Sequence, residues 1–405
     1  MPHLLRRWLA VPLWQRVVGA LLAGVALGLL WPAGATGIAV LGELFVRLIR
    51  MLVVPVVFVS LSAGVAALGD PKRLGSVGGR TVALFAFTTL CAVAIGMALG
   101  LLVQPGAGAA IGSATDFALG TPVSVHDQLV GIVPLNIVAA LMDGDMLAII
   151  FFAVLLGCGI VLAGDEGRPL AAVLESAGRV LFRLVGVVME LTPFGVLALI
   201  ANAVAANGVA VFANIALLAL CVAAGVLAQI VAVHLPLLRL VARRGLVRFF
   251  RDAADALVVA FSTASSAATL PVALRIAVED MRLLPAVAGT VLPVGASIGK
   301  DGTAMYVGLL AVFSLQALGY QPDLLTLLLV LGTGALAAFG TAPIPSASLF
   351  MLAAVLSAVG VPGEQTALVV GFVLPFDRLL DMTRTVASAN ANLTVTACVA
   401  RLDAG

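Results

Sequence analysis

Long apolar stretches alternate with short polar connections along most of the chain. An apolar run of about 18 residues or more is long enough for a helix to cross the hydrocarbon core of a membrane. The pattern therefore predicts an all-α polytopic membrane protein. Before residue 240 it predicts complete or interrupted spans at about 17–30, 38–68, 81–103, 136–163, 181–204 and 215–237.

Beyond residue 260, apolar arms too short to span a bilayer flank segments rich in small and hydroxyl residues. The first segment, F-S-T-A-S-S-A-A-T-L-P at 261–271, predicts a re-entrant helical hairpin with its tip at Ser265-Ser266. The second, F-G-T-A-P-I-P-S-A-S at 339–348, lies between the arms 324–338 and 349–359. Paired interruptions of this kind indicate the midplane binding site of a transporter.

A charged pair interrupts the helix predicted between these two hairpins. Lys300 and Asp301 are adjacent in the sequence, with Gly299 and Gly302 on either side. Each glycine costs a helix interior roughly 1 kcal/mol relative to alanine, so the pattern predicts a helix that is unwound here. Non-helical backbone and ionisable residues at this depth in a membrane are typical of a functional site lined by protein or water.

The composition excludes an ordinary soluble fold. Hydrophobic residues make up 62% of the 405 residues and charged residues only 10%, whereas a typical globular protein has about 25% charged residues. No Ser/His/Asp set, metal-ligand cluster or phosphate-binding loop stands at a usable spacing, which argues against an enzyme. The four cysteines form no CxxC pair and are interpreted as packing residues. We expect no cofactor and no nucleic-acid partner.

The distribution of basic residues predicts the orientation in the membrane. Lysines and arginines occur near the N-terminus, at 72–80 and at 239–251, whereas the Gly-rich stretch 104–133 contains none. By the positive-inside rule, the basic connections face the cytoplasm and the Gly-rich loop faces outside. The first apolar run is interpreted as a retained helix. We expect a multi-pass protein of a bacterial-type cytoplasmic membrane, surrounded by lipid, with both termini in the cytoplasm.

Several motifs, taken together and in order, resemble the glutamate transporter family, the dicarboxylate/amino acid:cation symporters. They are F-V-R-L-I-R-M-L-V-V-P at 45–55, I-V-P-L-N at 132–136, I-I-F-F-A-V-L-L-G at 149–157, the serine tip at 265–266, D-G-T at 301–303 and D-M-T-R-T at 381–385. The resemblance implies a homotrimer of elevator type, with eight transmembrane helices and two re-entrant hairpins in each subunit.

The resemblance also divides the chain between a fixed scaffold and a mobile transport domain. It implies scaffold helices 1 and 2 at 1–80, transport-domain helix 3 at 81–105, and an external loop with scaffold helices 4 and 5 at 106–210. Residues 211–405 would supply transport-domain helix 6, hairpin 1, broken helix 7, hairpin 2 and helix 8.

A substrate site follows from the same resemblance. It implies that Arg384 binds the side-chain carboxylate of the substrate, for which a guanidinium fork is suited, and that Asp381 binds the α-ammonium. Family members that carry C4-dicarboxylates lack that acid, so Asp381 indicates aspartate, glutamate or a close analogue. The further substrate contacts are expected from Ser265, Ser266, Thr303, Thr341, Thr385 and Ser388, the last of which replaces an asparagine. The simpler alternative is an Asp381–Arg384 pair that only neutralises two buried charges.

The positions implied to bind sodium depart from the family pattern. Gly299 and Lys300 replace Asn-Met before the D-G-T motif, and Asn392 replaces an aspartate. Thr88 and Thr89, in contrast, match the hydroxyl ligands of the family. Sodium needs several hard oxygen ligands, as other hard cations do. The replacements are therefore expected to weaken two sodium sites.

Lys300 is interpreted as a fixed cation that replaces bound sodium beside Asp301. Two unit charges about 4 Å apart interact by roughly 4 kcal/mol at an effective dielectric constant of 20. Because a buried lysine can also gain and lose a proton, we expect H⁺ rather than Na⁺ as the coupling ion. Three alternatives stay open: a permanent Lys300–Asp301 salt bridge, a sodium-coupled carrier with one site at Asp301, Thr88 and Thr89, and a receptor that binds an amino acid without moving it.

Other notable side chains carry less weight. His126 and His234 are interpreted as solvated or interfacial residues rather than proton relays. Pro343 and Pro345 lie at the tip of the second hairpin, which is expected to act as the gate. Since proline fixes the backbone and removes a donor, we expect a less flexible gate.

Overall fold

A computed structural model describes residues 11, 13–66, 71–109, 133–143, 146–207, 211–341 and 347–403. All regular secondary structure in these residues is helical, which confirms the all-α prediction. The helices are, in chain order, α1 (Leu13–Leu30), α2 (Pro32–Gly37), α3 (Ala39–Ala66), α4 (Pro71–Val103), α5 (Ile137–Asp143), α6 (Met146–Ala163), α7 (Arg168–Glu190), α8 (Thr192–Asn207), α9 (Val211–Gln229), α10 (Leu246–Thr263), α11 (Ser266–Arg275), α12 (Pro285–Ile298), α13 (Asp301–Ala317), α14 (Leu324–Phe339), α15 (Ala347–Ala358) and α16 (Gly363–Asp403).

Few of these helices are by themselves long and apolar enough to cross a membrane. By length and composition alone, Val77–Val103 and Phe212–Val241 qualify among the described residues. A third span is added if Phe151–Val188 and Thr192–Asn202, which meet at a 51° bend, are counted as one. α4 begins well before the predicted start of its span at residue 81, so the basic connection expected there is helical. The eight-span topology stays a prediction.

Two groups of helices pack mainly within themselves. In the first group, α8 packs along α1 and α3, and α3 also contacts α6 and α7. In the second, α13 lies at the centre and packs against α4, α14 and α16. Every residue of α13 from Asp301 to Leu315 is buried. The groups meet where α16 contacts α8 and where α15 contacts α3 and α6.

The first predicted hairpin consists of α10 and α11. α10 ends at Thr263, and Ala264 then adopts the left-handed conformation at φ +51°, which often terminates a helix. Ser265 caps α11, because its hydroxyl oxygen accepts a hydrogen bond from the Ala268 N–H at 3.3 Å. The turn therefore lies at Ala264–Ser265, one residue before the expected tip.

The arms of the second predicted hairpin are α14 and α15. Asp323 caps α14 by accepting a hydrogen bond from the Thr326 N–H at 2.8 Å. Hydrogen bonding from the Thr326 side chain and from this N–H lowers the pKa of the Asp323 carboxyl. Pro343 and Pro345 lie outside the described residues, so the expectation about gate flexibility stays a prediction. The same holds for His126 in the Gly-rich stretch.

The helix break predicted at Gly299 and Lys300 is confirmed. α12 ends at Ile298 and α13 begins at Asp301, with non-helical backbone at Gly299 (ψ 71°) and Lys300 (ψ 42°) between them. Gly302, at the start of α13, lies so close to α16 that a Cβ atom would collide with the Arg384 carbonyl oxygen. Glycine at this position therefore sets how closely the broken helix approaches α16.

Candidate functional site

Asp301 is the first residue of α13 and is completely buried. Its Oδ1 accepts hydrogen bonds from the hydroxyls of Thr88 at 3.0 Å and Thr89 at 3.4 Å, both on α4. Its Oδ2 accepts a hydrogen bond from Gln229 Nε2 at 2.9 Å and lies 2.9 Å from His234 Nε2. The structure thus brings Asp301, Thr88 and Thr89 together as expected. Two side chains that the sequence did not assign complete this cluster.

His234 reaches Asp301 because the chain beyond α9 does not continue as an α-helix. A π-helical turn at Ile230–His234 follows Gln229, and the Leu235 N–H donates to the Ile230 carbonyl. In an α-helix, residues five apart point about 140° away from each other. In a π turn the hydrogen bonds join residues five apart, so Gln229 and His234 share one face. The prediction that His234 is solvated or interfacial is wrong, since its exposure is 0%.

Asn390 holds the other side of the histidine ring. The Asn390 amide nitrogen lies 2.8 Å from His234 Nδ1, and both side chains are fully buried. Since an amide NH₂ can only donate, Nδ1 is the acceptor. The ring then carries its proton on Nε2, which donates to Asp301. His234 is therefore fixed in position and in tautomer between α13 and α16.

Lys300 does not pair with Asp301. Within the described residues, the Asp301 carboxylate is hydrogen-bonded to side chains of α4 and to Gln229 and His234, and no ion pair joins it to the lysine. Lys300 is the residue before α13 and has non-helical backbone (φ −111°, ψ 42°), whereas Asp301 is the first residue of the helix. It is 2% exposed, at the junction where the Gly302 N–H is bonded to Ser388 of α16. The alternative of a permanent Lys300–Asp301 salt bridge is therefore wrong, whereas the interpretation of Lys300 as a replacement for a bound cation stays a prediction.

Four of the expected substrate residues form one buried cluster. Arg384 Nη2 lies 2.8 Å from Asp381 Oδ1, one turn earlier on α16. Arg384 Nη1 donates to the Thr303 hydroxyl at 2.8 Å, across the interface with α13. The Thr385 hydroxyl donates to the Asp381 carbonyl at 2.7 Å and approaches its Oδ1 at 3.3 Å. This arrangement combines a cation, an anion and two hydroxyls beside the unwound segment.

Two further buried side chains, Tyr306 and Asp377, support the Arg384 guanidinium. The Arg384 guanidinium carbon lies 4.8 Å from the centre of the Tyr306 ring, within the range of a cation–π interaction. The Tyr306 hydroxyl donates to Asp377 Oδ1 at 2.9 Å. Tyr306 and Asp377 have 0% exposure. Neither residue was assigned to the site from the sequence. Asp377 lies four residues before Asp381 on α16 and therefore on the same helix face.

The remaining hydroxyl residues that were expected to contact the substrate include several that form hydrogen bonds with backbone groups. Ser388 Oγ accepts a hydrogen bond from the Gly302 N–H at 3.0 Å and so joins α16 to the start of α13. Thr341 is 4% exposed and donates to the Ala337 carbonyl at 2.9 Å, at the end of α14. Ser265 caps α11, and Ser266 is 8% exposed in the first turn of that helix. α11 packs against α16, and Arg378 of α16 donates to the Thr263 carbonyl at 3.4 Å, next to the turn.

Asn392 faces the last turn of α12. When its amide nitrogen points towards α12, it donates to the carbonyl oxygens of Gly295 at 3.1 Å and Gly299 at 3.2 Å. The reverse orientation would point its own oxygen at these two acceptors, so hydrogen bonding selects the first. A Cβ atom at Gly299 would collide with Asn392 and with the Phe85 ring. The amide NH₂ thus lies between carbonyl oxygens that could otherwise face a cation.

Sequence reasoning missed Gln229, His234 and Asn390 at this site. Polar side chains within apolar runs are a signal for intramembrane function, and that signal was present for all three. The sequence did not show that Gln229 and His234 both reach Asp301, because α-helical spacing places these two residues on different faces. In the described part of the chain, no group of three or more His, Cys, Asp or Glu side chains could hold a metal ion.

Comparison with known proteins extends over nearly the whole chain. The sequence profile of the sodium:dicarboxylate symporter family matches residues 13–402. The chain is 34% identical over 394 residues to a proton/sodium-glutamate symport protein of Bacillus caldotenax, covering 94% of this chain and 91% of the relative. It is 33% identical over 401 residues to a C4-dicarboxylate transport protein of Rhizobium etli, covering 96% of this chain and 88% of the relative.

Proposed function

Because this chain belongs to the sodium:dicarboxylate symporter family, we propose that it carries an acidic amino acid together with protons and without sodium. The family consists of transport proteins, so this chain is a transporter rather than an enzyme. The buried Arg384–Asp381 pair, at 2.8 Å, is the observation that carries the choice of substrate.

The charges of the cluster favour an amino acid over a simple dicarboxylate. Lys300 and Arg384 contribute two positive charges and Asp381 one negative charge, which leaves a net charge of +1 when all three are ionised. Aspartate or glutamate, with two carboxylates and one ammonium group, carries −1 and balances that charge. A C4-dicarboxylate would bring two negative charges, one more than the net charge of the cluster, and no ammonium group to interact with Asp381.

In this proposal, Lys300 couples proton uptake to substrate binding. Lys300 is buried at the same helix break as Thr303, whose hydroxyl accepts a hydrogen bond from Arg384. An anionic substrate stabilises the charged form of a neighbouring lysine. By reciprocity, a protonated Lys300 binds the substrate more tightly, and a neutral one releases it. Lys300 therefore replaces a cation at the substrate rather than at Asp301.

Two side-chain amides support sodium independence. The Asn392 NH₂ donates to the carbonyls of Gly295 and Gly299. Gln229 Nε2 donates both to Asp301 Oδ2 at 2.9 Å and to the Thr88 carbonyl at 3.1 Å. In each place, an amide nitrogen of the protein donates hydrogen bonds to carbonyl or carboxylate oxygens, which are also the ligands that a hard cation prefers. Neither place then needs a mobile ion to satisfy its oxygens.

We assign movement to the helix group around α13. The expected transport domain, 81–105 and 211–405, contains α4 and α9–α16, and these helices pack mainly with one another. The expected scaffold contains α1, α3 and α6–α8. In the proposed elevator mechanism the first set slides along the second. We propose the homotrimer, the re-entrant hairpins and a cytoplasmic-membrane location together with this mechanism.

Uptake by the purified protein in proteoliposomes tests this function. We expect labelled aspartate or glutamate to accumulate when an inward proton gradient is imposed, and to accumulate equally well when choline replaces sodium. Empty liposomes serve as the control. Competition by unlabelled succinate should be weak.

A sodium-coupled carrier of the same substrates is the second candidate. It is favoured by the convergence of Thr88, Thr89 and Asp301 on one point. Uptake that strictly requires a sodium gradient would establish this second candidate. Tight amino-acid binding without any flux would instead indicate a receptor.

A further inference from the structure

The surroundings of Asp301 contain an unusual combination of oxygen and nitrogen atoms. On one side lie the hydroxyl oxygens of Thr88 and Thr89, at 3.0 and 3.4 Å from Oδ1. The Thr88 carbonyl belongs to the same group, because Gln229 Nε2 reaches both it and Asp301 Oδ2. Carboxylate, hydroxyl and carbonyl oxygens that converge in this way form the ligand set that hard cations prefer.

On the other side, two nitrogens take the second carboxylate oxygen. Gln229 Nε2 and His234 Nε2 each lie 2.9 Å from Asp301 Oδ2, and the two nitrogens are 3.4 Å apart. A cation that approached Asp301 from this side would meet N–H groups instead of lone pairs. Since both side chains are 0% exposed, moving either of them aside would break buried hydrogen bonds.

Asn390 makes this arrangement rigid. Its amide nitrogen, 2.8 Å from His234 Nδ1, fixes the ring with its Nε2–H towards Asp301. In that tautomer the imidazole has no free lone pair that could serve as a metal ligand. The π-helical turn at Ile230–His234 supplies the backbone position from which the ring reaches the carboxylate.

We propose that His234, held by Asn390, is the residue that closes the Asp301 site to sodium. This role rests on the sodium-independent function proposed above and assigns part of that property to one side chain. His234 determines ion specificity by occupying the space beside Asp301 Oδ2, and Asn390 acts through it as a positioning residue. Removal of the ring frees the space beside Asp301 Oδ2, where we expect the carboxylate to bind sodium.

The test measures sodium binding without any substrate. The melting temperature of detergent-purified protein is recorded while NaCl replaces choline chloride at constant ionic strength. For the wild type we expect no change. For His234→Ala we expect a saturable rise with sodium, because a ligand that binds only the folded state stabilises it. Val233→Ala, at the neighbouring buried position, is the matched control and should behave as the wild type.

Two further variants identify the site of the sodium effect. Asp301→Asn in the His234→Ala background should abolish the sodium-dependent rise. Gln229→Ala in the same background should increase it, because the Thr88 carbonyl is released as well. If His234→Ala does not fold, Asn390→Ala, which leaves the ring in place but unclamped, should show a smaller rise.

Several outcomes would overturn the role of His234. The role would be excluded if His234→Ala folds but its melting temperature does not change with sodium. It would also be excluded if sodium already stabilises the wild type through Asp301. Because the assay contains no amino acid, failure of the proposed substrate or of proton coupling does not change its result. When aspartate binds, a second readout is its apparent Kd, which sodium should lower about tenfold in His234→Ala and leave unchanged in the wild type.

Discussion

Tyr306 lies beneath Arg384, with its ring centre 4.8 Å from the guanidinium carbon, and its hydroxyl donates to Asp377 at 2.9 Å. One side chain therefore contacts the Arg384 guanidinium with its ring face and the Asp377 carboxyl group with its hydroxyl. The arrangement holds Arg384 towards Thr303 and Asp381, where the substrate carboxylate is proposed to bind.

Tyr306→Phe separates these two contacts. The ring stays beneath Arg384, but Asp377, fully buried and with no partner for Oδ2 among the described residues, loses its hydrogen bond. We expect a loss of about 1–3 kcal/mol in the free energy of unfolding, measured by thermal denaturation, and a small change in KM. Tyr320→Phe, which removes a hydroxyl bonded to Gln365 at a half-buried position, is the control and should cost less. Equal stability of the two variants would contradict this prediction.

Asp381→Asn should change which substrate is preferred. The variant keeps the size of the side chain but removes the negative charge proposed to bind the substrate ammonium. We expect the ratio of succinate affinity to aspartate affinity to rise about tenfold or more, measured by competition against labelled uptake. Arg384→Lys should weaken both ligands, since an ammonium group cannot form the bidentate contact. An unchanged ratio in Asp381→Asn would exclude the proposed ammonium contact.

Two substitutions of Lys300 distinguish the role of its positive charge from the role of its exchangeable proton. Lys300→Met should reduce proton-driven uptake severely, because the positive charge is lost from the substrate cluster. Lys300→Arg keeps a charge that a protein does not remove, so substrate should still bind but release and net uptake should be slow. Binding is measured by calorimetry and uptake in proteoliposomes at two pH values. Wild-type uptake by Lys300→Met would exclude the coupling role.

Asn392→Asp should make transport respond to sodium. The new carboxylate would face the Gly295 and Gly299 carbonyls with no donor between them, and a cation would relieve that repulsion. We expect sodium to stimulate aspartate uptake in this variant, and more so when Lys300→Met is added. Asn392→Ala, which removes the amide without adding a charge, should not respond. The measurement is uptake with sodium against uptake with choline.

Gly302→Ala should destabilise the junction between α13 and α16. The added methyl group would meet the Arg384 carbonyl oxygen, and neither backbone can move without disturbing the cluster. We expect a loss of at least about 1–3 kcal/mol, as for an overpacked core, seen as a lower melting temperature. Gly289→Ala in α12 has open space around the new methyl group and should be neutral or slightly stabilising. Similar melting temperatures for both variants would contradict the close approach.

The sequence was informative where chemistry depends on neighbours along the chain. The glycines around Lys300 and Asp301 predicted the break, the small residues near Ser265 predicted the first turn, and Asp381 with Arg384 predicted a pair one turn apart. Each depends on local backbone preferences or on α-helical spacing. The family pattern also brought Thr88 and Thr89 to Asp301.

The partner of each charge was harder to predict. Adjacency suggested that Lys300 would pair with Asp301, but the Asp301 carboxylate is bonded instead to side chains of α4 and of the segment that ends α9. His234 was misread because α-helical spacing places it away from Gln229, and only the π turn brings both to Asp301. Tertiary packing and helix irregularity, which leave no simple periodic pattern, decided these contacts.

The π turn at Ile230–His234 holds one residue more than an α-helical turn of the same orientation. Deleting one residue there, such as Val231, would let the segment close into an ordinary α-helix in which Gln229 and the histidine stand four positions apart and still share a face. The imidazole would therefore stay beside the carboxylate, whereas deleting a residue from the regular part of α9 would rotate everything beyond it by about 100°. A change in chain length thus alters the surroundings of Asp301 or leaves them intact according to whether it falls in the regular helix or in the π turn.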